Sequence, residues 1–119
     1  MAKSRIILEM GHGNDMHGGD YTKAALRAVQ DAIHHSSLPF MRSLEIPYEE
    51  LEIEVTIGVQ RPYAVDAEDV RKSLPVGNAT VKVIKGGLDI HYPEFNAASV
   101  IATAAIAVRC DLEPYLNKK

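Results

Sequence analysis

Alternating apolar and polar positions predict several β-strands in this chain. The strongest signal lies at 51–59, where every odd position is Leu, Ile or Val and polar residues such as Glu52 and Glu54 stand between them. A period of two residues is typical of a strand with one buried face. Residues 4–10 form a shorter apolar run. The spacing in 98–109 also fits a helix, but its β-branched content favours a strand.

Two segments have the period of an α-helix. Residues 21–35 place alanine, leucine, valine and isoleucine on one helical face, and Asp20 is the expected N-cap. A shorter helix is predicted at 67–74, because Asp66 and Asp69 resemble a capping box in which aspartate replaces the usual glutamate.

The dipeptide Gly86-Gly87 lies between two further apolar runs, 79–85 and 88–91. Both positions of a tight type I′ turn need positive φ, so we predict a two-residue hairpin. The complete order is then β-α-β-α-β-β-β in a single α+β domain that covers residues 1–119. Such a two-layer sandwich places both helices on one face of one sheet. The opposite face is then solvated or covered by a neighbouring copy of the chain.

The composition limits what one copy of this domain can enclose. The chain has 119 residues, of which 46% are hydrophobic but only 6% aromatic. A domain of this size buries about two-thirds of the surface of its unfolded chain, and small aliphatic side chains wall off a ligand poorly. We therefore expect a homo-oligomer whose small-molecule site lies near a subunit interface.

Charge and hydropathy exclude several classes of partner. The formal net charge is −3, and no stretch of the chain forms a basic patch, so nucleic acid is not an expected partner. The longest apolar run, 100–108, is too short to span a membrane. The N-terminus lacks the apolar segment of an export signal. The single cysteine, Cys110, fits a reducing compartment and is expected to be a buried strand residue. Together these features predict a cytoplasmic protein.

The glycine-rich segment 11–20, between the first strand and the first helix, is predicted to be a loop. Gly13 and Gly18 have the spacing of a phosphate-binding loop, but Gly19 and Asp20 stand where that motif requires lysine and a hydroxyl residue. We therefore exclude that type of loop. Backbone amides at the start of a helix are still candidates to hold a carboxylate or to stabilise an oxyanion. The candidate ligand-binding glycines are Gly11, Gly13, Gly18 and Gly19.

Three side chains of this segment carry metal-binding or titratable groups: His12, Asp15 and His17. Two imidazoles and a carboxylate are a common ligand set for a divalent metal, which makes such an ion a candidate cofactor. Alternatively, Asp15 orients His17, whose ring acts as a general base near neutral pH. A third interpretation is structural, with both side chains bonded to the loop backbone. Arg61, after the clearest strand, is a further candidate to bind an anionic ligand.

The residues Gly11-x-Gly13-x-Asp15-x-His17-Gly18 resemble the Gly-x-Gly-x-Asp-x-His-Gly motif of a family of conserved hypothetical proteins from bacteria and plants that has no established activity. The similarity extends over most of the chain. The residue between the first two glycines is variable in this motif, which weakens the metal interpretation and favours Asp15 with His17. The element order is also similar to trimeric chorismate-mutase-like subunits. That resemblance implies sheets packed around a threefold axis, with sites between subunits.

The leading hypothesis is a homo-oligomeric cytoplasmic enzyme that acts on a small polar metabolite, with Asp15 and His17 as its acid–base pair. The competing hypotheses are a non-catalytic ligand-binding or scaffold protein and a hydrolase that depends on a divalent metal. These features assign no substrate and no reaction.

Overall fold

The structure, a computed structural model, describes residues 4–16, 18–34, 50–74, 78–95 and 97–111. Within these ranges the chain has the predicted order β-α-β-α-β-β-β, with two short 3₁₀ turns in addition, and the α+β class is confirmed. The strands and helices are β1 (Ser4–Asp15), α1 (Tyr21–His34), β2 (Glu52–Val59), α2 (Ala67–Lys72), β3 (Ala79–Lys85), β4 (Leu88–Tyr92) and β5 (Ala97–Cys110).

β5 is the central strand of a five-stranded sheet. β1 runs along one side of β5, and β2 followed by β4 runs along the other side, all antiparallel to it. β3 pairs in parallel with the outer side of β2. The prediction of a strand at 98–109 is confirmed, because this segment forms the ladder hydrogen bonds that join β1, β2 and β4 into one sheet.

The two helices in the described part of the chain cover one side of this sheet, which we call the covered face. α1 lies over β1 and β5, and α2 lies over β3. The alternation predicted for β2 is confirmed, since the odd-numbered residues from Leu51 to Val59 are buried and Glu52 and Glu54 are partly exposed. The fully buried residues of α1 are Ala24, Ala25, Ala28, Val29 and Ala32.

Both helices begin where the sequence predicts. The Asp20 carboxylate accepts a 3.1 Å hydrogen bond from the backbone N–H of Lys23. The Asp66 carboxylate accepts from two backbone N–H groups in the first turn of α2, one of them that of Asp69. In a capping box the N–H of Asp66 would donate to the side chain of Asp69. Here it donates to Thr22 Oγ1 instead, at 2.9 Å. This hydrogen bond ties the start of α2 to the start of α1.

The prediction of a loop at 11–20 is wrong for its first half, because β1 continues to Asp15. Every residue from Gly11 to Asp15 is paired with β5. A Cβ atom at Gly11 or at Gly13 would lie 2.4 Å from a backbone nitrogen of α1. These two glycines therefore allow α1 to lie directly on the strand, and close packing accounts for the residue type at both positions.

The prediction of a hairpin at Gly86-Gly87 is also wrong. β3 and β4 run in the same direction, so the two glycines carry the chain sideways past the end of β2. Gly87 has a φ of 65°, and a Cβ there would lie 2.1 Å from the carbonyl oxygen of Ile101. Gln60 Nε2 donates to the carbonyl oxygens of both glycines, at 3.0 and 3.2 Å. These hydrogen bonds fix the connection between β3 and β4, and with it the position of β4.

The opposite side of the sheet, which we call the open face, carries neither helix among the described residues. It consists of the even-numbered residues of β1 to β4, from Leu8 onward, and the odd-numbered residues of β5, as the strand register requires. Arg109 and Glu54 form an ion pair on this face. Its six large apolar side chains with substantial exposure are Leu8, Met10, Ile84, Leu88, Ile90 and Tyr92.

Two expectations from composition also have a structural outcome. In the part of the chain that the structure describes, no helix has the length and apolar character needed to cross a membrane. Cys110 is buried at the end of β5, as predicted. The trimeric arrangement implied by the resemblance to chorismate-mutase-like subunits stays a prediction.

Candidate functional site at the strand ends

Two aspartates lie in one row of the sheet beneath the first turn of α1. Asp15 in β1 and Asp89 in β4 both pair with Val100 of β5, from its opposite sides. Directly paired residues point to the same face, so both carboxylates lie on the covered face with the buried Val100 between them. Neighbouring strands lie about 4.8 Å apart, which places the two aspartate Cα atoms roughly 10 Å from each other.

The Asp15 carboxylate holds the turn between β1 and α1. Its Oδ2 accepts a 2.8 Å hydrogen bond from the backbone N–H of Asp20, and its Oδ1 lies 3.4 Å from Arg27 Nη1. The Asp20 hydrogen bond holds the pKa of Asp15 below its usual value. Burial opposes this effect, whereas the charges of Lys23 and Arg27 and the N–H of Gly18 support it. Asp15 is therefore ionised at neutral pH and bonded within the fold.

Two further glycines shape this turn for different reasons. A Cβ at Gly18 would lie 3.0 Å from Asp15 Oδ2, so the small residue permits the carboxylate to approach the backbone. Gly19 has a φ of 62°, and a Cβ there would have no neighbour within 4 Å, so its requirement is conformational. Packing and turn geometry thus account for the residue type at these positions. A ligand-binding role for their amides stays a prediction.

Tyr21, the first residue of α1, joins this helix to β4. Its hydroxyl donates a hydrogen bond to Asp89 Oδ2. Burial, together with the hydrogen bond and the charge of Asp89, raises the pKa of Tyr21 to about 12, although the nearby charge of Arg61 opposes the shift. Tyr21 is therefore a hydrogen-bond donor at neutral pH. Asp89 Oδ1 is buried and accepts no hydrogen bond from the described residues, so only one oxygen of this carboxylate is satisfied.

Arg61 lies exposed just after β2, at the same end of the sheet. The segment that carries it is tied to the first turn of α1, because Thr22 Oγ1 donates to the carbonyl oxygen of Ala64 at 3.4 Å and accepts from the N–H of Asp66. The sequence-predicted Arg61 and Asp15 are thus brought to the same end of the sheet as the Tyr21–Asp89 pair. We call these four residues the strand-end site: Asp15, Tyr21, Arg61 and Asp89.

The structure separates two of the three predicted metal ligands. His12 lies on the open face at the edge of the sheet, with a side chain that is 78% exposed, whereas Asp15 lies on the covered face. His17 lies outside the described residues. Within the described ranges, no group of three or more His, Cys, Asp or Glu residues is arranged to hold a metal ion. The metal site that includes His17, and the catalytic roles of Asp15 and His17, stay predictions.

The sequence did not identify Tyr21 and Asp89 as site residues. Asp89 was missed because the faces of β4 are reversed: its apolar side chains lie on the open face instead of the covered face. Asp89 alternates with Leu88 and Ile90, and apolar residues at alternate positions normally indicate the buried face of a strand. In this fold the apolar residues of β4 lie on the open face and Asp89 lies beneath α1. The only local signal was an acidic residue between two apolar residues, two positions after the glycine pair.

The fold and site define a small α+β protein with charged residues gathered at one end of a mixed sheet, beside the N-terminus of its longer described helix. Over residues 5–108 the chain matches the family described as conserved hypothetical protein (Lin0512_fam). The chain belongs to this family, which confirms the resemblance to an uncharacterised family of conserved hypothetical proteins.

One solved structure is similar to this chain over nearly the whole length of both proteins. It is the crystal structure of an FtsZ-like protein of unknown function from Nostoc punctiforme, which is 39% identical to this chain with a TM-score of 0.80. The similarity covers 93% of this chain and 98% of that one. A comparison with curated proteins finds no match. The family and this structural neighbour both lack an established function, so the activity must be inferred from the site itself.

Proposed function

We propose that this protein is a homo-oligomeric cytoplasmic enzyme that acts on a small polar metabolite bound at the strand-end site. The observation that carries this proposal is the gathering of Asp15, Arg61 and the hydrogen-bonded Tyr21–Asp89 pair at one end of the sheet. Titratable groups with perturbed pKa values that converge in one place are a frequent property of functional sites. Strand ends beside a helix N-terminus are also places where open sheets bind small molecules.

The charges of the site favour a small carboxylate that also carries a hydroxyl or amino group. Arg61 and the positive end of α1 attract an anionic group. Asp89, which keeps one oxygen without a hydrogen bond from the described residues, is the acceptor for a hydroxyl or ammonium group. The nearby carboxylates of Asp15 and Asp20 disfavour the larger charge of a phosphate.

His17 supplies the titratable group of the reaction in this proposal. The fold uses Gly11, Gly13 and Gly18 for close packing, and it uses both oxygens of Asp15 for hydrogen bonds to the turn and to α1. Asp15 is therefore a positioning residue rather than a proton acceptor. Histidine titrates near neutral pH, which suits it to the role of general base.

The test is turnover of malate and aspartate, followed by proton NMR with purified protein, because these two compounds can lose water or ammonia without a second reactant. We expect the protein to consume at least one of these compounds. The rate should fall by about 100-fold or more in His17→Ala, since loss of a general base has an effect of that size. The matched control is His12→Ala, which removes an exposed histidine on the open face and should keep the rate. Equal rates in His17→Ala and the unaltered protein would contradict the assignment.

A non-catalytic ligand-binding or scaffold protein is the second candidate function, and the engagement of both Asp15 oxygens within the fold favours it. This candidate predicts that neither malate nor aspartate is consumed. It also predicts that calorimetric binding of malate is lost in Arg61→Ala and kept in His17→Ala.

The metal-dependent alternative has a separate test. It predicts stoichiometric zinc, manganese or iron in protein that is purified without an affinity tag, with loss of the metal in His17→Ala. Elemental analysis that finds none of these metals, together with no thermal shift when they are added, would contradict it.

A further inference from the structure

We propose that a second copy of this chain packs face to face on the open face. The inference names the partner in the homo-oligomer of the proposed function, and it rests on that proposal only for the expectation that the chain associates with itself. It is independent of any chemistry at the strand-end site. Four features of the open face carry it: its apolar side chains, its size, its charge and the state of the adjoining sheet edge.

Exposed apolar side chains are concentrated on this face. Of the eight large apolar side chains with high exposure among the described residues, six lie on the open face, and the other two, Met16 and Tyr63, lie outside the strands. They follow a diagonal from Leu8 and Met10 on β1 to the exposed residues of β4. Between them β5 presents small residues such as Ala105, which permit another sheet to approach closely. Exposed apolar side chains that are concentrated on one face are typical of interaction surfaces in soluble proteins.

The size of the open face matches that of a stable interface. β5 has 14 residues, β1 has 12, and β2, β3 and β4 have 8, 7 and 5. At about 3.4 Å per residue and about 4.8 Å between strands, the face covers roughly 700 Å². Specific protein interfaces bury about 800 Å² on each partner. A second copy of the same sheet therefore supplies an area of the required size.

The charges of the open face favour a copy of itself over a charged partner. Its described charged side chains are Glu52 and Glu54, which are balanced by Lys82 and Arg109, and Arg109 pairs with Glu54 within the same subunit. The charges of these four described side chains cancel, so they do not make two copies repel each other. They also give no preference for a partner that is strongly basic or strongly acidic.

The sheet edge beside this face is partly closed to strand addition. The side chains of α1 bond the outer edge of β1 at two points. Asp31 accepts a 3.0 Å hydrogen bond from the backbone N–H of His12, and Arg27 Nη1 donates to the carbonyl oxygen of Asn14 at 2.6 Å. These bonds occupy groups that a neighbouring strand would need. Association through the face is therefore favoured over association through this part of the edge.

The test compares two variants that replace one exposed methionine with glutamate. Met10→Glu places a charge on the open face, and Met16→Glu is the matched control one residue beyond the end of β1; the two methionines are 68% and 53% exposed. Molar mass is measured by size-exclusion chromatography with light scattering at about 100 μM chain. We expect the unaltered protein and Met16→Glu to have a mass at least twice the 13.1 kDa of one chain. Met10→Glu should shift to 13.1 kDa while its circular dichroism is unchanged.

Two results would overturn the inference. One is a monomeric mass for the unaltered protein, which would mean that solvent, residues 35–49 or a different protein covers the face. The other is an unchanged oligomeric mass in Met10→Glu, which would place the interface elsewhere. Ile90→Glu on β4 decides the matter in the same way if Met10→Glu fails to fold.

The proposed function is tested by ligand binding and turnover, whereas the inference about the open face is tested by molar mass. Malate binding and turnover of the Met10→Glu variant report on the strand-end site, whether this variant is a monomer or an oligomer. Lost binding in Arg61→Ala at the native mass bears on the site alone, and a changed mass with intact binding bears on the open face alone.

Discussion

The two faces of the sheet differ in how closely their neighbours approach. On the covered face, glycine lets the α1 backbone reach positions where a single Cβ atom at Gly11 or Gly13 would collide with it. On the open face, Met10 directly precedes Gly11 along β1 and is 68% exposed. Neighbouring residues of one strand therefore serve opposite purposes. The motif residues are required by packing on one face, and the apolar residues of the other face are available to a partner.

This contrast changes the interpretation of the N-terminal motif. A glycine-rich segment with titratable side chains suggests a catalytic loop, but the first half of this segment is a strand with a helix on it. Asp15 stands at the end of that strand and fixes the turn that follows. The candidate chemistry is thereby confined to the end of the covered face, where Asp15, Tyr21, Arg61 and Asp89 lie.

The largest expected effect comes from filling the space between β1 and α1. We expect Gly13→Ala to lower the free energy of unfolding by about 3 kcal/mol, because the new Cβ meets backbone atoms that cannot rotate away. Gly19→Ala should cost only about 1 kcal/mol, because it strains a left-handed backbone without a collision. Urea denaturation measures both, and equal losses would refute the close packing of helix on strand.

A smaller loss is expected when the turn at the end of the covered face loses its carboxylate. Asp15→Ala should lower the free energy of unfolding by about 2 kcal/mol, because hydrogen bonds to a charged group are removed. The pKa of Asp15 is lowered in the folded state, so its contribution is present above about pH 4 and is lost as the pH falls further. Denaturation at several pH values should show the two proteins converging in acid. A gap that stays constant down to pH 2 would contradict this account.

The Tyr21–Asp89 bond is expected to contribute less. Tyr21→Phe should lower the free energy of unfolding by about 1 kcal/mol at pH 7, because the neighbouring carboxylate loses its donor. The pKa of Tyr21 is raised from 10.0 to about 12, so this contribution is complete below pH 10 and is lost as the pH rises through 12. The ultraviolet difference titration between the two proteins isolates Tyr21. A midpoint near 10 would mean that the pair is not formed.

The smallest effect is expected for a polar residue on the open face. Lys82→Gln should change the free energy of unfolding of one subunit by less than about 0.5 kcal/mol, because Lys82 is exposed on β3. Denaturation at low protein concentration measures the subunit alone. A loss comparable to that of Asp15→Ala would mean that the two faces are not as different as the structure indicates.

The sequence predicted those parts of the fold that depend on local signals. The period of β2, the helical spacing and Asp20 cap of α1, and the Asp66 cap of α2 each lie within a few residues, and all four features are confirmed. The order of the elements followed from these signals. The β-branched residues of β5 also identified a strand that occupies the centre of the sheet.

The errors arose where glycine has more than one use. Gly11 and Gly13 were predicted to lie in a loop, although these positions require glycine because of α1, more than ten residues away in the sequence. The pair Gly86-Gly87 is compatible both with a hairpin and with a connection that passes the end of β2. Only the pairing of β4 with β5 distinguishes the two. That connection also reverses the faces of β4, so Asp89 was missed as a partner of Tyr21. These features depend on tertiary contacts that periodicity does not encode.

We expect a ligand to bind and react at the strand-end site on the covered face, and not on the open face. The most direct measurement is the proton–nitrogen NMR spectrum of labelled protein titrated with malate. We expect shifts at the backbone amides of Gly18 to Tyr21, Arg61 and Asp89, with those of Leu8, Met10 and Ile84 unchanged. Shifts confined to the open-face amides, or no shift at the strand ends at saturating malate, would contradict it.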